Sequence, residues 1–210
     1  MSKHLETSYY FDFQSQEIQQ YIEPFQNLSL LEKTEGIYLK VRDGLLYDPY
    51  HISLKKESYV SSHIAQKKSG NCVEKSILLI SCLRGLGIPA KLHLGKVQNH
   101  LAVERLTQKF GTNQLTPHGM VQVCLEEKWI KLSPAFNASL CEKFGVEPLE
   151  FDPEKSSYLQ KYNQRGDLFM EYTADYGCFD DVPVDFMVQN LKENYPHIFV
   201  TKDNKQEFFL

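Results

Sequence analysis

One cysteine of this chain stands where a thiol can become a nucleophile. Cys72 follows the turn residues Ser69, Gly70 and Asn71 and opens the apolar run 73–86. The first turn of a helix presents unpaired backbone N–H groups and the positive end of the helix dipole. Both favour a thiolate, so the position predicts a thiol pKa drawn down from about 8.5 toward neutrality. The same N–H groups can later hold an oxyanion. A nucleophilic thiol also needs a base. Of the seven histidines, His118 is the strongest candidate, because it opens the alternating run His118-Gly119-Met120-Val121-Gln122-Val123. A strand start fixes its backbone, and Gly119 leaves room beside the imidazole. His4, His51 and His197 fall near termini or loops, His63 in a helix, and His93 and His100 about the strand after the thiol helix. The other four cysteines lack such a setting; Cys82 and Cys124 read as core, and Cys141 and Cys178 have no helix-start position.

The elements that must position these groups are legible in part. Leu30, Leu31, Ile37, Tyr38 and Val41 recur at helical spacing over 29–43, with Gly44 as the stop. A short helix is expected over 56–67. The thiol helix is expected over 72–86, with Asn71 as cap, Glu74 at the capping-box position, and Gly85, Gly87 and Pro89 at its end. Its apolar residues run nearly all round, which predicts a buried helix. The period then changes: 90–97 alternates like a strand, and 100–113 reads as a strand end followed by irregular structure. Residues 119–125 and 129–132 read as a hairpin turning at Glu126, Glu127 and Lys128. A short helix near 137–145, a strand near 167–177 and a last helix near 182–195 complete the chain. Helices first and a strand meander after them read as α+β.

Composition bounds the function. Hydrophobic residues make up 42% and charged residues 24%, as in an ordinary globular chain, and a net charge of −4 argues against nucleic-acid binding. No basic run suggests a membrane surface, and the longest apolar run is too short to span a bilayer. The N-terminus lacks the layout of a secretory signal, and five cysteines, an odd count, favour free thiols in a reducing compartment, so a cytoplasmic location is expected. No Cys-x-x-Cys or His-x-x-x-His pair supports a metal site, and no nucleotide loop implies a cofactor. Asp180 and Asp181 read as a solvated loop.

The sequence Gly-x-Cys on a helix, then "LRGLGIPAK", then His-Gly-x-Val-x-Val followed by Trp, resembles the transglutaminase-like superfamily, relatives of papain-type thiol enzymes. "EKTEGIYLKVRDGLLYDP" resembles the segment that precedes the thiol there. The likeness spans about 29–137. It implies a papain-like core with the thiol helix packed on an antiparallel sheet, Cys72 as nucleophile and His118 as general base and acid. The core would occupy 1–137 with its N-terminal helical extension, and 138–210 would pack on it. The segment 170–186 resembles a tail of some bacterial relatives that shapes or covers the substrate cleft. In the family an Asp before Pro usually orients the His, whereas here Ser133 precedes Pro134. Asn137, Ser133 and Asp152 are the candidates for that task, in this order. Gln66, six residues before Cys72, is the candidate oxyanion donor by papain-like spacing, and Trp129 could roof the site but reads as a core strand residue. The function implied is acyl transfer or hydrolysis at amide bonds of a peptide or similar substrate. The alternative is an amide-binding module without turnover, because the usual Asp is missing.

Overall fold

The computed structural model describes residues 2–199 and 205–210. Its centre is helix α4, Cys72–Gly85, in which every residue from Cys72 to Arg84 is buried. The helix starts where the sequence says it should. Asn71 Oδ1 accepts from the N–H groups of Val73 and Glu74 at 3.0 Å, and Glu74 accepts from Asn71 N–H at 2.9 Å. That reciprocal box places Cys72 at the first helical position. Gly87, at φ +78, turns the chain out of the helix.

The helix lies on a four-stranded antiparallel sheet of strands β4 (Ala90–Asn99), β5 (Gln114–Leu125), β6 (Lys128–Leu132) and β7 (Met170–Phe179), in the order β6-β5-β4-β7. Alternation divides its residues between two faces. Gly119, Val121 and Val123 of β5 pair with Leu94, Leu92 and Ala90 of β4, and this face meets α4. His118, Met120 and Gln122 pair with Gly95, His93 and Lys91 on the opposite face. The two-residue turn of the β5–β6 hairpin holds Glu126 and Glu127 at φ 47 and 68, as a tight hairpin turn requires. The antiparallel sheet with helices packed on it is the α+β architecture expected.

Around this unit pack α1 (Gln16–Ile22), α2 (Leu30–Gly44), α3 (Ser61–Ala65), α6 (Ala138–Phe144), α7 (Val184–Asn194) and α8 (Pro196–Phe199). Two short pairings complete the frame. Strand β1 (Leu46–Tyr47) runs parallel to β3 (Ser69–Gly70), and β2 (His51–Ser53) is antiparallel to β8 (Glu207–Phe209). The first sets Tyr47 opposite Gly70, two residues from the thiol. Lys75 of α4 donates to the carbonyls of Arg42 and Leu45 and ties the end of α2, and so β1, to the thiol helix.

Three expectations need correction. Residues 103–110, read as irregular, form helix α5 (Val103–Phe110), which buries Leu106 and Phe110 and ends at Gly111 with φ +72. Its cap residue is Ala102, which has no side-chain acceptor; the turn before it is held instead by Asn99 Oδ1, which accepts from Leu101 and Ala102 N–H. Leu30 and Leu31 are exposed, because the buried stripe of α2 is Thr34, Ile37, Tyr38 and Val41, and its first turn overhangs the core. His118 does not open its strand: β5 begins four residues earlier, at Gln114.

A Cβ at Gly119 would lie 2.8 Å from Val73 Cα and 3.0 Å from the Cys72 carbonyl oxygen, backbone atoms that cannot step aside. Gly119→Ala is therefore expected to destabilise the fold by about 1–3 kcal/mol. Urea unfolding would show it as a lower midpoint with an unchanged slope.

Candidate thiol site

Cys72 Sγ accepts from Gly119 N–H at 3.5 Å and lies 4.0 Å from the Pro117 carbonyl oxygen. The residue is 6% exposed. Burial pushes the thiol up to about 11, against the pull of the backbone N–H groups of Gly119, Val73 and Cys72 itself. This reverses the expectation of a lowered pKa: the helix start is present, but desolvation outweighs it, and the resting group is a neutral thiol.

His118 is also sealed, at 1% exposure, and burial lowers it to about 4. Among the described residues neither ring nitrogen has a hydrogen-bond partner, so none of them bonds it to Cys72 or to an orienting group. Its ring lies beside Tyr172, with centroids 6.0 Å apart. Gly95, opposite His118, makes room for Tyr172, whose ring would sit 3.1 Å from a Cβ there. The room beside Gly119, expected to serve the imidazole, is filled by the backbone of α4.

The expected partners lie elsewhere. Ser133 Oγ accepts from Ala135 N–H at 3.5 Å, and its carbonyl accepts from the Tyr38 hydroxyl at 3.1 Å. Asn137 Oδ1 accepts from Tyr47 N–H at 3.2 Å, and its Nδ2 donates to Ser139 Oγ at 2.7 Å. Asp152 sits in an exposed turn, accepting from Glu154 N–H. Ser133 and Asn137 are thus corrected from orienting groups to backbone anchors. Asn137 still serves the site indirectly, since it fixes the backbone of Tyr47. Gln66 turns its amide back to the Ser62 carbonyl at 3.2 Å, as the end of a helical turn favours, and is no oxyanion donor in this geometry. Trp129 stands at 4.2 Å under the Lys91 ammonium and edge-on to His4, away from the thiol. Asp180 accepts from Lys3 and His4, and Asp181 from Ser8.

The sequence reading missed Tyr47. Its hydroxyl is buried without a partner among the described residues, and burial, with Cys72 next among the causes, raises its pKa well above the usual value. Tyr47, Asn71, Cys72, Val73, Thr116 and Pro117 share the wall of a narrow pocket of about 60 Å³. It adjoins, through Tyr47, Pro49 and Leu115, a groove of about 550 Å³ lined by Tyr50, Leu106, Phe136, Phe144 and Phe169, with Arg105 over the Tyr50 ring at 4.7 Å. No local sequence signal marked Tyr47; strand pairing with Gly70 brings it to the thiol. Among the described residues no cluster of His, Cys, Asp or Glu is fit for a metal ion, and no helix is long and apolar enough to cross a membrane.

A thiol heading a buried helix on an antiparallel sheet, with an imidazole on the adjoining strand, defines the papain-like class of thiol-enzyme folds. The transglutaminase-like superfamily model matches residues 17–134, more than half of the chain, and the chain belongs to that superfamily. Among solved structures, a protein from Cytophaga hutchinsonii described as a candidate cysteine protease is similar at 15% identity and a TM-score of 0.47. The match covers 63% of this chain and 40% of that one. No curated protein matches.

Burial of a neutral imidazole carries a pH signature. An unfolded histidine titrates near 6.5, against about 4 for folded His118. Between those values the unfolded chain binds more protons, so stability is complete above about pH 6.5 and falls as pH drops toward about 4. The loss attributable to this ring is roughly 3 kcal/mol. His118→Gln is expected to flatten that limb of the stability curve, measured by urea unfolding across the range; equal slopes in both proteins would refute the neutral buried ring.

Proposed function

We propose that this chain is a thiol enzyme that acts on amide bonds by acyl transfer through Cys72. The observation that carries the reading is the placement of Cys72: first residue of a capped helix, with Gly119 N–H on its sulfur, on the wall of a pocket that it shares with Tyr47 and that adjoins an aromatic groove. The groove's volume falls in the range of small-molecule and peptide side-chain sites. Its aromatic lining suits an apolar or aromatic group next to the scissile amide.

The substrate carbonyl enters the pocket beside Cys72. The thiol proton moves to His118 as sulfur attacks, which requires the imidazole to turn toward the thiol from its resting place beside Tyr172. The Tyr47 hydroxyl and the unpaired N–H of the first turn receive the oxyanion. The amine leaves with the proton from His118, and the thioester remains. Water or a second amine then takes the acyl group; hydrolysis and transamidation share every earlier step.

A second reading, an amide-binding module without turnover, is favoured by one observation: among the described residues no side chain orients His118. Turnover of a peptide anilide with an aromatic residue at the cleaved bond separates the two. The enzyme reading expects anilide release that Cys72→Ala abolishes, that His118→Ala lowers by about 10²–10⁴-fold, and that Tyr47→Phe lowers by about 10²-fold in kcat with little change in KM. Saturable peptide binding, with no release above the Cys72→Ala background, would establish the binding module instead.

A further inference from the structure

The sheet face away from α4 carries a second thiol–imidazole arrangement, and this one is fully joined. Cys178 of β7 stands directly opposite His93 of β4, and its sulfur lies 3.5 Å from His93 Nδ1. His93 Nε2 lies 2.7 Å from Asp175 Oδ1. The Gln122 amide from β5 reaches the same Nδ1 at 3.0 Å. Asp175 Oδ1 also accepts from Gly177 N–H at 2.8 Å, which fixes the carboxylate.

The strand is shaped for this. Residues 175 and 178 would point to opposite faces of a regular strand. Leu94 pairs with Gly177 and Gly95 with Asp175, so Tyr176 is an extra residue, and Gly177 takes φ +83. That bulge reverses the alternation and turns both Asp175 and Cys178 toward His93.

The partners fix the tautomer. An ionised carboxylate only accepts, so Nε2 carries the proton and Nδ1 of the neutral ring presents a lone pair. The lone pair faces the Gln122 amide and the Cys178 S–H. His93 is buried at 4% exposure, whereas Cys178 is exposed, alone among the five cysteines. Burial raises the Cys178 pKa, Lys91 and Lys131 draw it down, and Asp175 and Asp180 push it up. A base already in contact removes the need for a low thiol pKa.

We propose that Cys178 is a thiol-modification site that exchanges with low-molecular-weight disulfides, with His93 as its base and Asp175 as the positioning residue. The Gln122 amide turns to present its oxygen to Nδ1, the Cys178 proton passes to that nitrogen, and the sulfur attacks one sulfur of the disulfide R–S–S–R. A Cys178–S–S–R bond forms, the original S–S bond breaks, and the departing R–S⁻ takes the proton from the imidazolium. The disulfide is the co-reactant, and no other oxidant is needed.

The test is exchange with oxidised glutathione on the full chain, followed by peptide mass mapping and by the rate of thiol release. Cys178 is expected to be the first residue modified, and Cys178→Ser to remove the fast phase. At about pH 6, His93→Gln is expected to slow exchange about tenfold or more. Asp175→Asn, an exposed substitution that spares the core, is expected to slow it several-fold. The variants and the wild-type protein should converge at alkaline pH, where the thiolate forms without a base; a merely structural role would not produce that convergence. Modification of another cysteine first, or wild-type rates at about pH 6 in both folded variants, would overturn the proposal.

Discussion

The close approach of two backbones organises this molecule. Strand β5 meets the first turn of α4 so tightly at Gly119 that a single added carbon would strike Val73 Cα at 2.8 Å. Because that residue is glycine, its N–H comes within 3.5 Å of the Cys72 sulfur, and the strand runs past the head of the helix. The cap formed by Asn71 and Glu74 decides which residue stands at that head. Shifting the helix start by one residue would rotate the thiol by about 100° and take it from the pocket. The parallel pairing of Tyr47 with Gly70 and the Lys75 bonds to the end of α2 then bring the third wall to the same point.

Burial sets the chemistry of that point. The thiol is pushed up to about 11 and the imidazole down to about 4. Desolvation disfavours the charged form of both groups, so moving the proton from thiol to imidazole runs uphill, and the resting site favours the neutral pair. Attack on a carbonyl would couple proton transfer to bond formation, with the oxyanion held by groups that are already fixed.

The elements most legible in the sequence were those whose signals are local. The cap at Asn71, the buried helix after it and the Glu126–Glu127 turn need only their own neighbours, and the structure holds these where expected, although the first hairpin strand starts earlier, at Gln114. Helix α5 was missed because its start is stabilised from Asn99 rather than by a residue at the cap. Leu30 and Leu31 have helical spacing, but spacing does not tell where a neighbouring element stops covering a helix. Ser133 and Asn137 follow the right strand, yet their side chains are spent on the Ala135 backbone, the Tyr47 backbone and Ser139, contacts that depend on tertiary geometry. Cys178 had no helix start to mark it. Its partner His93 lies 85 residues away and becomes a neighbour only through strand register and a bulge.

The two imidazoles of the sheet's outer face show what orientation requires. His93 has a carboxylate on one nitrogen, and a thiol and an amide on the other, so its tautomer and ring plane are determined. His118 lies two positions along β5 from Met120, the residue opposite His93, and has no partner on either nitrogen among the described residues. The difference follows from their surroundings. Asp175 reaches His93 from the solvent edge, where its own charge remains hydrated, with the side chain 63% exposed. A carboxylate beside His118 would be buried with it at a cost of several kcal/mol, repaid only if the ring became charged. A cavity that keeps its imidazole neutral is consistent with the absence of an Asp before Pro134. If Cys72 and His118 act together as proposed, the free energy to orient the ring has to come from substrate binding, because no described side chain supplies it.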